Sequence, residues 1–323
     1  MNLSLVKKNV AYAQLLTDVM RGRQSHAYLV LSEDEELRRT FFLGACTLLI
    51  CGPNGEDSVD YDNILQGNYV EVINIDASVG IKTKDIELLT ERIMVRPVVG
   101  DKKIIVIDNA DKLSAIVQTK LLKVYEEPPN YVTFLMGTNR ESAILPTIRS
   151  RGKKLYLNDL STDEIYQELI SEGYDSEMAD VASAVSMGNY GKALRFCSDD
   201  KYRAVFESAF DTMMNLKKSS QIPEFAYKKE FGKDDISITL DFMEIILSDV
   251  MKEVTNSSAP KFVKSREFDV KTIAKGYSPD SVSVAITLIN EARKKLTANI
   301  NPSNVAVSLL FGILEAQYKW QKR

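Results

Sequence analysis

Cysteine is scarce in this chain: Cys46, Cys51 and Cys197 are the only three in 323 residues. That excludes a disulfide scaffold and suits a reducing compartment. It also excludes a thiolate zinc centre, which needs four ligands. Cys46 and Cys51 cannot complete one, and the single histidine, His26, lies in another segment. No metal is expected. Positive charge is not in excess either. The 41 Lys and Arg against 45 Asp and Glu leave a formal net charge of -4, unlike proteins whose main work is neutralising phosphate backbones. Long apolar runs are missing, and none approaches the length that spans a bilayer. The N-terminal stretch "MNLSLVKKNVAYAQLL" carries lysines inside its apolar pattern and no small-residue cleavage site. A cytoplasmic location is therefore expected.

What is present is ordinary in bulk, with 45% hydrophobic and 27% charged residues. The length exceeds one core and suits two or three domains. Short apolar, β-branched runs recur in the first half: "AYLVL" (27–31), "YVEVINI" (69–75), "KIIVID" (103–108), "YVTFLMGT" (131–138) and "KKLYL" (153–157). Nearly continuous runs of this kind predict strands buried on both faces. Between them "TKDIELLTERIMV" (83–95) predicts a helix with Ile86, Leu88, Leu89 and Ile93 on one face, ending before Pro97. "SAIVQTKLLKVYEE" (114–127) predicts another, with Val117, Leu121, Leu122 and Tyr125 together, stopped by Pro128 and Pro129. Strands alternating with helices predict an α/β domain on a parallel sheet.

After Leu157 the pattern becomes helical. "STDEIYQELISEG" opens with a capping box, Ser161 and Glu164. "SEMADVASAVSMGNYGKALRFCS" reads as helix, glycine-bearing turn and helix. "DISITLDFMEIILSDVMKEV" is apolar nearly all round, as a helix buried among several neighbours should be. "TNSSAPKFVKSREFDV" is the candidate mobile connection. The expected organisation is 1–157 (α/β), 158–205 (small helical lid) and 206–323 (all-helical).

Ligands on such sheets bind beyond the C-terminal ends of the strands. There the stretch "LVLSEDEELRRTFF" (29–42) has the strand–loop–helix frame of a phosphate-binding loop but the wrong contents. A working loop reads G-x-x-x-x-G-K-[ST], its glycines letting backbone N–H groups surround the phosphates. In that register the glycine positions are Glu33 and Arg38, the lysine is Arg39 and the hydroxyl residue is Thr40. Glu33, Asp34, Glu35 and Glu36 would face a polyanion, and two unit charges ~4 Å apart interact by about 1 kcal/mol even in bulk water. Nucleotide binding of the usual kind is not expected.

The run 96–157 closely resembles the bacterial clamp-loader ATPase family of the AAA+ class, and within it the delta-prime branch. The resemblance rests on Arg96-Pro97, then Ile107-Asp108-Asn109-Ala110-Asp111. It continues in Leu121-Leu122-Lys123 followed by Glu126-Glu127-Pro128-Pro129, and in Leu145-Pro146-Thr147-Ile148-Arg149-Ser150-Arg151. It extends to "HAYLVLS" (26–32), "GNYGKAL" (188–194) and "ANINPSNVAVSLL" (298–310), and so to essentially the whole chain. It implies an AAA+ (RecA-like) module, a lid and a C-terminal helical collar.

By the same resemblance, Asp108 stands where active relatives hold magnesium through water, and Asn109 where they carry the acid that polarises the attacking water. An amide cannot take that proton. Asp108 and Asp111 could instead cap the turn and helix that follow. The lid arginine that touches bound phosphates in active relatives is replaced by Gly191, with Lys192 beside it. The outward-acting piece is retained. Arg151 stands at the arginine of the family's Ser-Arg-Cys motif, which touches the γ-phosphate held by a neighbouring subunit, a task suited to a permanently charged planar fork. Arg149 is expected to be a structural partner for a nearby carboxylate.

Two departures stand out. Gly152 replaces the motif's cysteine, and the four zinc cysteines common in delta-prime relatives are reduced to Cys51. The segment 51–70 must then hold itself by packing, through Tyr61, Ile64 and Leu65. No cofactor is expected. The partners implied are tau/gamma-type ATPase subunits and a delta subunit, with the sliding clamp and primed DNA reached through the complex. An active ATPase with an aberrant loop, the clamp-opening delta subunit and a DNA-binding regulator on the same fold are the alternatives. Nucleotide titration, direct clamp binding and salt-dependent DNA affinity separate them.

Overall fold

Five strands carry the first half of the chain: β1 (Ala27–Leu31), β2 (Val72–Asp76), β3 (Lys103–Asp108), β4 (Val132–Thr138) and β5 (Lys153–Tyr156). In the computed structural model, which describes residues 3–259 and 261–321, they form one sheet of order β2-β3-β4-β1-β5. Every pairing is parallel. The expected α/β class on a parallel sheet is thus met. β1, β3 and β4, the central strands, are buried nearly throughout, and the edge strands β2 and β5 are not. A continuous apolar run is therefore a mark of position within the sheet.

The chain divides into two compact units, one of Met1–Glu172 with Gly188–Gly191, the other of Gly173–Met187 with Lys192–Arg323. The first holds the sheet and α1 (Ser4–Lys7), α2 (Val10–Met20), α3 (Glu35–Cys51), α4 (Val59–Leu65), α5 (Thr83–Met94), α6 (Ala115–Glu126), α7 (Pro146–Arg149) and α8 (Thr162–Ser171). Ile86, Leu89 and Ile93 of α5 and Val117, Leu121, Val124 and Tyr125 of α6 pack with Leu29, Ile105, Ile107, Phe134 and Met136 of the sheet. Leu88, expected on that face, is 60% exposed, while Leu122 is partly buried against this core and Val124 is buried within it. At β2's entry Tyr69 is buried, while Leu65 is exposed and Ile64 inside. The segment 51–70 therefore holds by Ile64 and Tyr69. The Ser161 capping box on α8 forms with both its bonds.

The second unit is helical: α9 (Ser176–Val185), α10 (Tyr190–Ser198, whose first two residues belong to the first unit), α11 (Asp200–Asn215), α12 (Ile222–Ala226), α13 (Ile236–Val254), α14 (Glu267–Ala274), α15 (Pro279–Thr297) and α16 (Pro302–Gln321). As its all-round apolarity predicts, α13 is packed by α11, α14 and α15. Phe196, Tyr202, Phe206, Phe210 and Phe242 form a chain of edge-to-face rings in this core. The connection after α13, expected to be mobile, is anchored. The carboxylate of the buried Asp249 accepts the N–H groups of Phe262 and Val263 at 2.8 and 2.9 Å, and Val263 is fully buried. Residue 260 lies outside the described residues.

Candidate functional site

Parallel registry puts Asp76 beside Asp108, and Gly137 and Thr138 of β4 beside Val30 and Leu31 of β1. The C-terminal ends of β1, β2, β3 and β4 thus lie together at the loop 32–34, which leads into α3. This is where the phosphate-loop frame was expected.

The loop is filled from within by Arg38. Its side chain is fully buried. Its Nε donates to Asp108 Oδ1 at 2.5 Å, Nη1 to the Ser32 carbonyl at 2.7 Å and Nη2 to Asn109 Oδ1 at 2.8 Å. One guanidinium joins the loop, the end of β3 and the residue after it. Asn109 is held in turn by Asp76, whose carboxylate accepts from its amide at 3.0 Å. That bond and the Ser78 N–H hold the Asp76 carboxyl below its ordinary range in spite of partial burial. Asn109 has φ of 53°, a left-handed conformation that asparagine tolerates better than most residues. Room for Arg38 comes from Gly137. A Cβ there would lie 2.5 Å from Asp108 Oδ1, 2.7 Å from Phe42 and 2.8 Å from Arg38 Cδ. Sequence reasoning missed Gly137, although a glycine inside a buried strand signals close approach.

The second filler is Asp34. Its carboxylate accepts the Leu37 N–H at 3.0 Å, capping α3, the Gly191 N–H at 3.2 Å and the Tyr190 N–H in a short contact. Backbone N–H groups at a helix start are the groups a phosphate would engage, and here an aspartate takes one of them. Burial raises the Asp34 carboxyl above the ordinary aspartate value, against the opposing pull of those N–H groups.

The four acids do not act as one. Glu33 and Glu35 are exposed to solvent, and Glu36 pairs with Arg39 at 2.7 Å on the surface. The expected repulsion from four carboxylates is therefore replaced by occupancy, a buried guanidinium and one buried carboxylate. Arg39, at the lysine position, turns outward, and the Thr40 hydroxyl donates to its own helix at the Glu36 carbonyl. Asp108 and Asp111 are not helix caps. Asp108 holds Arg38 and accepts the Asn109 N–H at 2.9 Å, and Asp111 accepts from the Thr138 hydroxyl at 3.1 Å. The Arg38 guanidinium and the Asp34 carboxylate thus occupy this loop, engaging one oxygen of Asp108, the Asn109 side chain and the Leu37, Tyr190 and Gly191 N–H groups. Beside the loop a cavity of about 330 Å³ remains, with Phe42, Ile64, Tyr69 and Val106 among its apolar walls.

Gly191 is tied to Asp34 as described, and Lys192 Nζ lies 2.9 Å from Asp241 within the second unit. Arg149 lies 3.6 Å from Glu141, the kind of partner expected for it. Arg151, after α7, is at the surface. Its Nη2 is 2.8 Å from Glu126, and its Nη1 donates to the Thr147 carbonyl at 2.8 Å. Among the described residues no group of three or more His, Cys, Asp or Glu could hold a metal ion, and no helix is long and apolar enough to cross a membrane.

Residues 7–161 match the family model described as "DNA polymerase III, delta subunit". The chain is similar to the DNA polymerase III subunit delta' of Bacillus subtilis, 24% identical over 93% of this chain and 94% of that one. It is also similar to the subunit gamma of Buchnera aphidicola subsp. Schizaphis graminum, 26% identical over 78% of this chain and 77% of that one. With the subunit tau/gamma of Haemophilus influenzae it shares 39% identity over 33% of this chain. This chain spans 15% of the length of that Haemophilus protein. The parallel sheet, the motif run on β3, α6 and α7, and these relatives together support a bacterial DNA polymerase III clamp-loader subunit.

Proposed function

We propose that this chain is the ATP-silent, delta-prime-type member of a replicative clamp loader, and that it lends Arg151 to ATP held by a neighbouring tau/gamma-type subunit. The observation that carries the reading is the burial of Arg38 against Asp108, Asn109 and Ser32, which leaves the loop occupied by its own side chains. A relative that matches it over nearly its full length is a subunit delta'. Its parts would be a catalytically silent AAA+ module (1–157), a lid (158–205) and a collar for assembly (206–323). Its partners would be tau/gamma-type and delta subunits, with the sliding clamp and primed DNA engaged through the complex.

Arg151 suits the task by chemistry and by exposure. A trans-acting arginine finger is worth on the order of 10³–10⁵ in turnover among GTPases. Two measurements test the proposal. Titration of the isolated chain with Mg-ATP is expected to give no saturable binding up to millimolar concentration, and micromolar affinity would restore the active-ATPase alternative. In a complex assembled with tau/gamma-type and delta subunits, clamp and primed DNA, Arg151→Ala is expected to lower ATP turnover sharply while assembly stays normal. Unchanged turnover would remove Arg151 from the mechanism.

A further inference from the structure

The C-terminal turn of α6 grips the Arg151 segment from two sides. On the inside lies Tyr125, fully buried, its ring 5.1 Å from Phe134. Its hydroxyl has no hydrogen-bond partner, and a Cβ on Gly152 would stand 2.7 Å from it. Gly152 does not have a left-handed φ, so what position 152 needs is space and not conformational freedom. The tyrosine hydroxyl fills the place where the family's motif has a cysteine side chain. On the outside lies Glu126. Successive helical residues point about 100° apart, so with Tyr125 turned inward its neighbour reaches the surface, where its carboxylate meets Arg151 at 2.8 Å. The backbone N–H groups of Arg151 and Gly152 both donate to the Ile148 carbonyl, at 3.1 and 3.2 Å, and Ile148 is fully buried. Backbone and side chain of Arg151 are thus held by separate contacts. Arg149 does not compete for Glu126, since its ion pair is with Glu141, which Lys154 shares at 2.7 Å.

We infer that Glu126 and Tyr125 are the residues that position Arg151 for its work in trans. This rests on the reading of Arg151 as the residue that reaches a neighbour's triphosphate. An ion pair this exposed adds little to stability, so Glu126 is not explained as a fold determinant. An arginine side chain free to turn loses much rotamer freedom when it is fixed. One already held by Glu126 and by the Thr147 carbonyl meets the phosphate with part of that ordering done. Glu126 needs to be a hydrogen-bond acceptor, not necessarily a charge.

The test uses the complex assembled from this chain and its partner subunits, with steady-state ATP turnover in the presence of clamp and primed DNA. Glu126→Ala is expected to lower kcat about fivefold to tenfold, on the scale of the lost ordering, with KM for ATP and the chain's melting temperature unchanged. Glu126→Gln keeps an acceptor and is expected to recover most of the loss. Arg151→Ala is expected to lose more, and adding Glu126→Ala to it to change nothing further. If Arg151→Ala lowers turnover while Glu126→Ala leaves kcat within twofold of the parent, or raises it, positioning by Glu126 is wrong and the finger reading stands. Arg151→Ala without effect ends both.

Discussion

Arg38→Ala is the perturbation on which the account of the loop depends. The guanidinium makes three hydrogen bonds inside the protein, to Asp108, Ser32 and Asn109, and has no exposed surface. Its removal leaves the Asp108 carboxylate, itself 7% exposed, without the cation beside it. Breaking a buried ion pair by deleting one partner costs about 3–5 kcal/mol, and the volume vacated by the side chain adds to that. The same principle gives the contrast. Replacing both members, as in Arg38→Met with Asp108→Asn, retains an acceptor for the Asn109 N–H and is expected to cost no more than about 1–2 kcal/mol. With two compact units in the chain, a single unfolding midpoint mixes two transitions. The suitable assay is amide hydrogen exchange read on β1, β3 and β4. Protection there is expected to fall by about two to four orders of magnitude in Arg38→Ala and to recover most of that in the double variant. Protection within threefold of the parent in Arg38→Ala would mean that Arg38 is not the bolt described here. A double variant worse than the single one would mean that its pairing with Asp108 is not what matters.

Four more outcomes follow from the same contacts. Gly137→Ala would place a Cβ within 2.8 Å of Asp108, Phe42 and Arg38, and a loss of about 1–3 kcal/mol by the same exchange assay is expected. Gly152→Cys should destabilise because of the 2.7 Å approach to the Tyr125 hydroxyl, and Tyr125→Phe should relieve it, so a double-mutant cycle with additive effects would refute the filling argument. Restoring glycine and lysine by Arg38→Gly with Arg39→Lys should still leave Mg-ATP unbound at millimolar concentration, because Asp34 keeps its hold on the Leu37, Tyr190 and Gly191 N–H groups; saturable binding would show that Arg38 alone closes the loop. The Asp34 carboxyl should titrate above an ordinary aspartate by ¹³C NMR, since burial raises it. A carboxyl raised on folding weakens the folded state in full above its folded pKa and is relieved as pH falls through that value toward the unfolded one, so Asp34 contributes a gain toward acid. A midpoint at or below the ordinary value would contradict that sign.

The sheet was legible because local chemistry sets it. β1 and β3 begin and end where their apolar runs do, since a strand buried on both faces has no room for a polar residue until it leaves the core. β2 and the face of α5 were less legible. Val72–Asp76 is an edge strand, and Leu88 differs from Leu89 only in the direction its helix turns. That the loop lacks the glycines of a phosphate cradle was plain in the letters, with Glu33 and Arg38 at their positions. What fills the cradle was not. That Arg38 points inward and Arg39 outward, that Asp34 alone of four acids is buried, and that Gly137 and Gly152 make room for Arg38 and Tyr125 all depend on which strands lie side by side. A sequence records which groups carry charge, but the packing of distant segments decides which of them lose water, and a desolvated charge must find its partner within hydrogen-bond reach.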